Sequence, residues 1–199
     1  MKHKGLLLAA LLSLLSAQTV ANGAGGYDLA PPGYEWFSCQ SSLKCSFLVP
    51  SGWSFERLTG DSAKMSRHAA ANVFKYQILK ERHGRKRSPR ISINILQNVE
   101  SRTGLPPKRH MEMFMTDLSR SSKVLETWNN RSGALISTAA TSLHYGKNHV
   151  PVKKFNLLIA NTESGTLYVM SFESMPDHWK GDWSVVEQVF ARIRLDEEA

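Results

Sequence analysis

The sequence 152-VKKFNLLIANTESGTLYVMSF-172 contains two long apolar segments joined by a short polar turn. Because side chains alternate along a strand, the second segment places Tyr168 and Phe172 on one face and Val169 on the other. A strand that is apolar on both faces is typical of the middle of a covered sheet. The turn at 163–165 ends in glycine, which adopts a positive φ at little cost. This stretch therefore predicts a central β-hairpin.

The segment after Pro176 has the period of a helix. Ser184 and Glu187 have the spacing of a capping box, and Arg192 and Arg194 suit the negative C-terminal end of a helix. We therefore expect a closing helix that lies on the sheet, with an apolar stripe formed by Trp183, Val186, Phe190 and Ile193.

Other segments predict the remaining strands and one further helix. Alternation on both sides of a Pro-Ser-Gly turn predicts an N-terminal hairpin within Phe37–Phe55. Val73–Lys80 and Arg90–Gln97 predict half-buried antiparallel strands, and Leu135–Tyr145 leads into the central strands. A Pro-rich turn opens a helix that runs to about Ser122, with a stripe that we expect to pack in the core, formed by Met111, Phe114, Met115 and Leu118. Together these segments predict a single α/β domain, an α/β/α sandwich around a mainly antiparallel sheet.

The composition is that of a globular protein with an excess of positive charge. A chain of 199 residues can bury a core without metal or many disulfides. The hydrophobic fraction of 42% and charged fraction of 21% argue against disorder and against a multi-span membrane protein. The formal net charge of +8 falls to +6 when Lys2 and Lys4 are removed, and this favours acidic partners.

The first 21 residues have the pattern of a secretory signal peptide. Lys2 and Lys4 precede the apolar run Leu6–Leu15, and small residues precede the cleavage position that we expect after Ala21, with Ala17 as the nearest alternative. We therefore predict a periplasmic or secreted protein with no transmembrane segment in the mature chain. Residues 22–36 are Gly-rich and predict a flexible lead-in, 37–195 the folded domain, and 196–199 an acidic tail.

The two cysteines of the chain, Cys39 and Cys45, are close in sequence. In an oxidising compartment a local disulfide between them is chemically permitted and is our expectation. Two buried free thiols are the alternative. No cluster of His or Cys with zinc spacing lies nearby, so we predict no metal site.

The most polar segment is KERHGRKRSPR, from Lys80 to Arg90, which has six Lys or Arg and one Glu. It lies between two predicted strands, so it predicts a basic hairpin. One interpretation is an anion-binding finger, with these binding residues: Arg82, Arg85, Lys86, Arg87 and Arg90. A second is a solvated loop whose charges prevent edge-to-edge pairing, and a third is a site of proteolysis. Nucleic acid is disfavoured because no aromatic residues interleave the charges.

No constellation of residues identifies a catalytic reaction. There is no GxSxG motif, no HExxH motif and no evident carboxylate pair. His144 and His149 flank a turn, but two ligands without a nearby carboxylate make a poor metal shell. We therefore predict no catalytic residue, no cofactor and no enzymatic activity.

Three motifs resemble the PsbP-like superfamily, which includes photosynthetic extrinsic proteins, the Mog proteins and DcrB-type bacterial envelope proteins. The resemblance spans about Phe37 to Leu195 and is carried by FLVPSGW at 47–53, GTLY at 165–168 leading into SMP at 174–176, and FARIRL at 190–195. It implies a sandwich around an antiparallel sheet, in members that mostly bind or chaperone proteins. The DcrB-type lipid anchor is missing, and the resemblance assigns no role to the cysteine pair or the basic hairpin.

Fold, charge and export together predict a non-enzymatic protein-binding module of the bacterial cell envelope. An assembly factor or an immunity-type protein would fit, with an acidic protein surface as the partner of the basic hairpin. A polyanion or membrane-surface binder that uses the same hairpin is one alternative. A hydrolase without a recognisable motif is another.

Overall fold

A computed structural model describes residues 29–39, 43, 45–58, 73–80, 88–145 and 149–195. It confirms the predicted class, an α/β domain around a mainly antiparallel sheet. The elements in these ranges are β1 (Tyr34–Ser38), β2 (Ser46–Pro50), β3 (Ser54–Leu58), β4 (Val73–Leu79), β5 (Arg90–Leu96), α1 (Val99–Thr103), α2 (Pro107–Ser121), β6 (Lys123–Ser132), β7 (Leu135–Tyr145), β8 (Pro151–Asn161), β9 (Thr166–Ser174), a 3-10 turn (Pro176–His178) and α3 (Trp179–Ala191).

The described residues group into two compact units. The larger, Trp53–Lys180, contains a seven-stranded sheet in the order β3-β4-β5-β9-β8-β7-β6, in which every neighbouring pair is antiparallel. The smaller contains the residues up to Gly52 and those from Gly181 onward, with the two-stranded sheet β1-β2 and most of α3. The predicted signal peptide, residues 22–28 of the predicted lead-in and the acidic tail lie outside the described residues.

The predicted central hairpin is confirmed as β8 and β9. β9 pairs with β8 on one side and with β5 on the other, so it lies in the middle of the sheet. Its alternating residues are apolar on both faces because both faces of the sheet are covered at this point: Tyr168, Met170 and Phe172 are at most 2% exposed, and Leu167 is also buried. The turn places Gly165 at φ 65°, as the sequence predicts.

The two faces of the large sheet differ in chemistry. One face, which we call the apolar face, carries large, fully buried apolar side chains, among them Ile91, Phe155, Leu157, Met170 and Phe172. The other, which we call the mixed face, is apolar at one end and polar at the other. Register places Leu96, Leu167 and Ala160 at its apolar end and Arg90, Glu173 and Lys154 at its polar end.

Helices α1 and α2 pack on the apolar end of the mixed face. Met111, Phe114 and Met115 of α2 contact a cluster that includes Val99, Leu158 and Leu167, which confirms that the predicted stripe is core. α2 begins at Pro107, where a missing backbone N–H costs nothing. Helix α1 was not predicted because its five residues are too few to show a helical period. The residue that caps its C-terminal end, Gly104, has φ 71°.

The predicted N-terminal hairpin is wrong in its pairing. β2 pairs with β1, and β3 pairs with β4, so the Pro-Ser-Gly turn joins strands of two different sheets. The β1–β2 pairing is held by the Cys39–Cys45 disulfide, by a 2.7 Å hydrogen bond from Cys39 N to Cys45 O, and by contact between Phe37 and Phe47. Alternation predicted both strands but could not choose their partners.

The start of the closing helix also differs from the prediction. α3 begins at Trp179, directly after the 3-10 turn that Pro176 opens, so Ser184 lies inside the helix and is not its cap. Ser184 Oγ donates to Gly181 O at 2.9 Å instead. The helix ends at Ala191, so Arg192 follows it and Ile193 and Arg194 lie beyond it.

Candidate functional site

Of the five predicted binding residues, the structure describes Arg90, which lies at the stem of the β4–β5 hairpin. Arg82, Arg85, Lys86 and Arg87 lie outside the described residues, and Arg90 is the first residue of β5, opposite Leu79. Arg90 pairs with Glu173 of β9, the residue directly opposite on its other side. The Arg90 side chain keeps 40% of its accessible surface, whereas that of Glu173 keeps 9%. Arg90 therefore neutralises a largely buried carboxylate as well as contributing charge to the surface.

Backbone and side-chain contacts hold the hairpin stem in place. Lys80 N donates to Pro89 O at 3.2 Å, one step beyond the last strand pair, and Ser54 Oγ donates to Leu79 O at 3.3 Å. Lys80 Nζ lies 6.0 Å from the centroid of the Trp53 ring, at the outer limit of a cation–π contact. These contacts fix Lys80 and Pro89, the two residues at which the chain leaves and re-enters the stem, at one end of the large sheet.

Three further lysines lie at the same end of the sheet. Lys154 is opposite Glu173, in the register row that contains Arg90. Lys153 is opposite Leu143, which pairs in turn with Lys123. We define the basic end of the sheet as Lys80, Arg90, Lys123, Lys153 and Lys154. Among the described residues of these register rows, Glu173 is the one acidic side chain.

The sequence contained a signal for this cluster that we did not interpret. Lys153 and Lys154 stand near the start of a strand whose other residues carry no charge, so they lie near a sheet end by strand length alone. Their position beside the hairpin stem depends on the strand order β5-β9-β8, which alternation does not give. Lys153 Nζ lies 4.6 Å from the Trp179 ring centroid, a cation–π distance that holds the lysine side chain against the ring.

Lys75 differs from the lysines of the basic end. It is only 8% exposed and lies on the mixed face opposite Asn94. Burial lowers the pKa of Lys75 because the charged form loses water. It is therefore not part of the exposed basic surface.

The described residues offer no alternative centre of chemistry. No group of three or more His, Cys, Asp or Glu in them could hold a metal ion. No helix in the same ranges is long and apolar enough to cross a membrane. Cys39 and Cys45 form the predicted disulfide, with a Cα–Cα distance of 5.2 Å, so neither is a free nucleophile.

Comparison with solved structures supports the predicted fold. The chain is similar to cyanobacterial PsbP (CyanoP) from Synechocystis sp. PCC 6803, with 14% identity, a TM-score of 0.50, and coverage of 87% of this chain and 98% of that one. Weaker matches are the Ran-binding protein Mog1p of Saccharomyces cerevisiae (11% identity, TM-score 0.48, 81% and 95% coverage) and LpqN, involved in cell envelope biogenesis of Mycobacterium tuberculosis (12%, 0.48, 81% and 91%).

No protein-family profile matches the sequence, and no curated protein matches it. At these identities the likeness concerns the fold alone. The fold is PsbP-like, as the sequence motifs suggested.

Proposed function

We propose that this protein is an exported, non-enzymatic protein-binding module of the bacterial cell envelope that contacts an acidic surface of its partner. The contact would be formed by the predicted basic hairpin together with the basic end of the sheet. An assembly factor and an immunity-type protein both fit this description. The observation that supports the proposal best is that Lys123, Lys153 and Lys154 lie at the end of the sheet from which the hairpin emerges.

Electrostatics supports a contact at this end. The stem and the neighbouring strands supply five cations and one partly neutralising carboxylate, and the hairpin adds Arg82, Arg85, Lys86 and Arg87 by sequence. A one-sign cluster of this kind raises the rate at which an oppositely charged partner arrives and sets its orientation. The wider chain, with its net charge of +8, reinforces the same preference.

Two features support export. The predicted signal peptide would direct the chain out of the cytoplasm. Disulfides such as Cys39–Cys45 form and persist in oxidising compartments. The disulfide and the predicted leader are independent observations that agree.

The test is affinity capture from a bacterial envelope extract at physiological salt, with a hairpin variant and a matched control. The hairpin variant carries serine at Arg82, Arg85, Lys86 and Arg87 and keeps Arg90, because its loss would leave the buried Glu173 unpaired. The control carries serine at four exposed cations elsewhere, Arg102, Lys108, Arg109 and Arg120, so that both variants lose the same charge. The surface ion pairs removed in the control contribute little to stability.

The proposal expects one saturable protein partner that the wild type and the control retain and the hairpin variant loses. Equal loss in both variants would show that only net charge matters, which contradicts a defined contact. Capture of lipids or polyanions alone, eluted by salt without a fixed stoichiometry, would favour the membrane-surface alternative.

A further inference from the structure

Strand β6 forms one edge of the large sheet. Nine of its ten residues, all but Leu125, pair with β7 between Lys123 and Ser132, and no other strand of the described chain pairs with it. Thr127, Asn129 and Arg131 are exposed. An edge strand presents a row of backbone N–H and C=O groups that another chain can pair with.

The direction of these groups follows from one hydrogen bond. Thr162 N donates to Ala134 O at 3.0 Å, which makes Leu135 and Asn161 a non-hydrogen-bonded pair between β7 and β8. The backbone N–H and C=O groups of Leu135 therefore point to its partner on the other side, Ser132 of β6. Hydrogen-bonded and non-hydrogen-bonded pairs alternate along an antiparallel ladder. The backbone N–H and C=O groups of Glu126, Trp128 and Asn130 therefore also point to β7.

The intervening residues must point the other way. Thr127, Asn129 and Arg131 direct both their N–H and their C=O groups away from β7, to the open side of the edge. They form a regular ladder of six backbone groups, which we call the outward ladder.

Natural edge strands carry devices that prevent pairing, and β6 has them only at its start. Lys123 and an irregularity in register between Val124 and Glu126 lie there. From Glu126 to Ser132 the strand has no proline, no lysine and no shift in register with β7. An edge strand of this length without such devices exposes the protein to unwanted pairing with other chains. We therefore expect it to bind a partner.

The positive charge of this protein favours a different partner over a second copy as the strand that pairs with β6. β6 begins with Lys123 and carries Arg131 near its end, with Glu126 as the one acidic residue between them, and Lys123 belongs to the basic end of the sheet. Pairing of two copies would bring together two chains that each carry a net charge of +6 once the predicted leader with Lys2 and Lys4 is removed. An extended acidic segment meets complementary charge instead.

We infer that an extended, acidic segment of the partner adds to β6 as an eighth strand, through backbone hydrogen bonds to the outward ladder. This inference rests on the proposed function, because it names how the partner of the basic end is held. Backbone pairing supplies affinity in such complexes, and side chains of the added strand supply specificity.

A proline substitution tests the ladder directly. Thr127→Pro removes one outward N–H and no hydrogen bond to β7, and proline is tolerated on edge strands for this reason. Thr127→Val keeps the N–H and is the matched control. Both variants should remain folded by thermal unfolding and circular dichroism.

The defined probe is a ten-residue peptide of alternating Glu and Val, compared with a twin that is N-methylated at every residue, so that neither edge of the peptide can donate to β6. We expect saturable amide shifts in ¹⁵N NMR at Thr127, Asn129 and Arg131 with the first peptide, and none with its twin. Thr127→Pro should weaken binding by about tenfold, the equivalent of one hydrogen bond of about 1.4 kcal/mol, while Thr127→Val binds like the wild type.

The outcomes separate this inference from the proposed function. If the folded Thr127→Pro variant binds the peptide as the wild type does, or if the shifts fall on the hairpin stem alone, strand addition is wrong while the basic contact stands. If the hairpin variant keeps the envelope partner and Thr127→Pro loses it, the hairpin contact is wrong and strand addition stands. Dimerisation of the protein alone, abolished by Thr127→Pro, would mean that a second copy occupies the edge and would overturn the acidic partner.

Discussion

Asn156 and Asn161 are both buried on strand β8, but only one of them has hydrogen-bond partners. Asn161 Oδ1 accepts from the backbone N–H groups of Glu163 and Ser164, each at 3.0 Å, and so shapes the turn of the central hairpin. Among the described residues, neither side-chain polar atom of Asn156 has a hydrogen-bond partner, and the same holds for Ser142 Oγ. A buried polar group without a partner costs stability that a paired one does not.

This contrast predicts opposite effects of one substitution at the two positions. Leucine has nearly the shape of asparagine, so Asn156→Leu removes an unpaired amide and should raise the free energy of unfolding by about 1 kcal/mol. Asn161→Leu leaves two backbone donors without their acceptor and should lower it by about 2 kcal/mol. Urea denaturation of the two variants measures both values. A loss of stability in Asn156→Leu would mean that its amide does have a partner in solution.

The disulfide gives a second prediction at this scale. It closes a short loop, with a sequence separation of six, and removes chain entropy from the unfolded state. For a loop of that size the cost of replacing both cysteines by serine is about 2 kcal/mol. Denaturation of the double variant should show this loss, and reduction of the wild type should reproduce it. An unchanged midpoint under reducing conditions would contradict a stabilising bridge.

At the scale of elements, the sequence predicted those helices and strands that a regular local pattern of apolar residues identifies. The β8–β9 hairpin and α2 were correct because their apolar residues recur regularly over a long segment and a glycine or proline marks an end. The pairing of β2 was wrong because alternation shows that a strand exists without naming its partner. α3 starts earlier than predicted because the 3-10 turn continues directly into it, and no capping residue was needed.

The same limit applies to the candidate site. Arg90 was predicted because charge is visible in the sequence, whereas Lys123, Lys153 and Lys154 join the site only through strand order. The outward ladder of β6 could not be predicted, since it depends on which strand is last in the sheet and on the phase of its hydrogen bonds. Both require long-range pairing, which a single sequence does not display.

Two glycines should respond to alanine in opposite directions. Gly133 forms the β6–β7 turn at φ 55°, a conformation that costs an L-residue about 1 kcal/mol, so Gly133→Ala should destabilise the protein by that amount. Gly181 lies in α3 with no positive φ and with nothing within 4 Å of an added Cβ, so Gly181→Ala should stabilise by about 0.5–1 kcal/mol. Thermal unfolding of both variants checks the signs. Equal effects would contradict a left-handed Gly133 and a helical Gly181.

At the scale of the whole molecule, the distribution of charge matters more than its sum. The control and hairpin variants carry the same net charge, but only the hairpin variant loses cations next to the basic end. Cations clustered at one end of the sheet steer an approaching partner, whereas the same number spread over α1 and α2 do not. The two variants therefore separate orientation from general attraction.

Rates of association make this argument quantitative. For the captured partner, we expect the association rate of the wild type to fall steeply as salt rises from about 0.1 M to about 1 M, because the screening length shortens from about 10 Å to about 3 Å. The hairpin variant should begin with a lower association rate and a weaker dependence on salt, and the control should follow the wild type. The dissociation rate should respond instead to Thr127→Pro, because backbone pairing along β6 holds the complex after it has formed. If the hairpin variant changed only the dissociation rate, the basic end would be a short-range contact and not a steering surface.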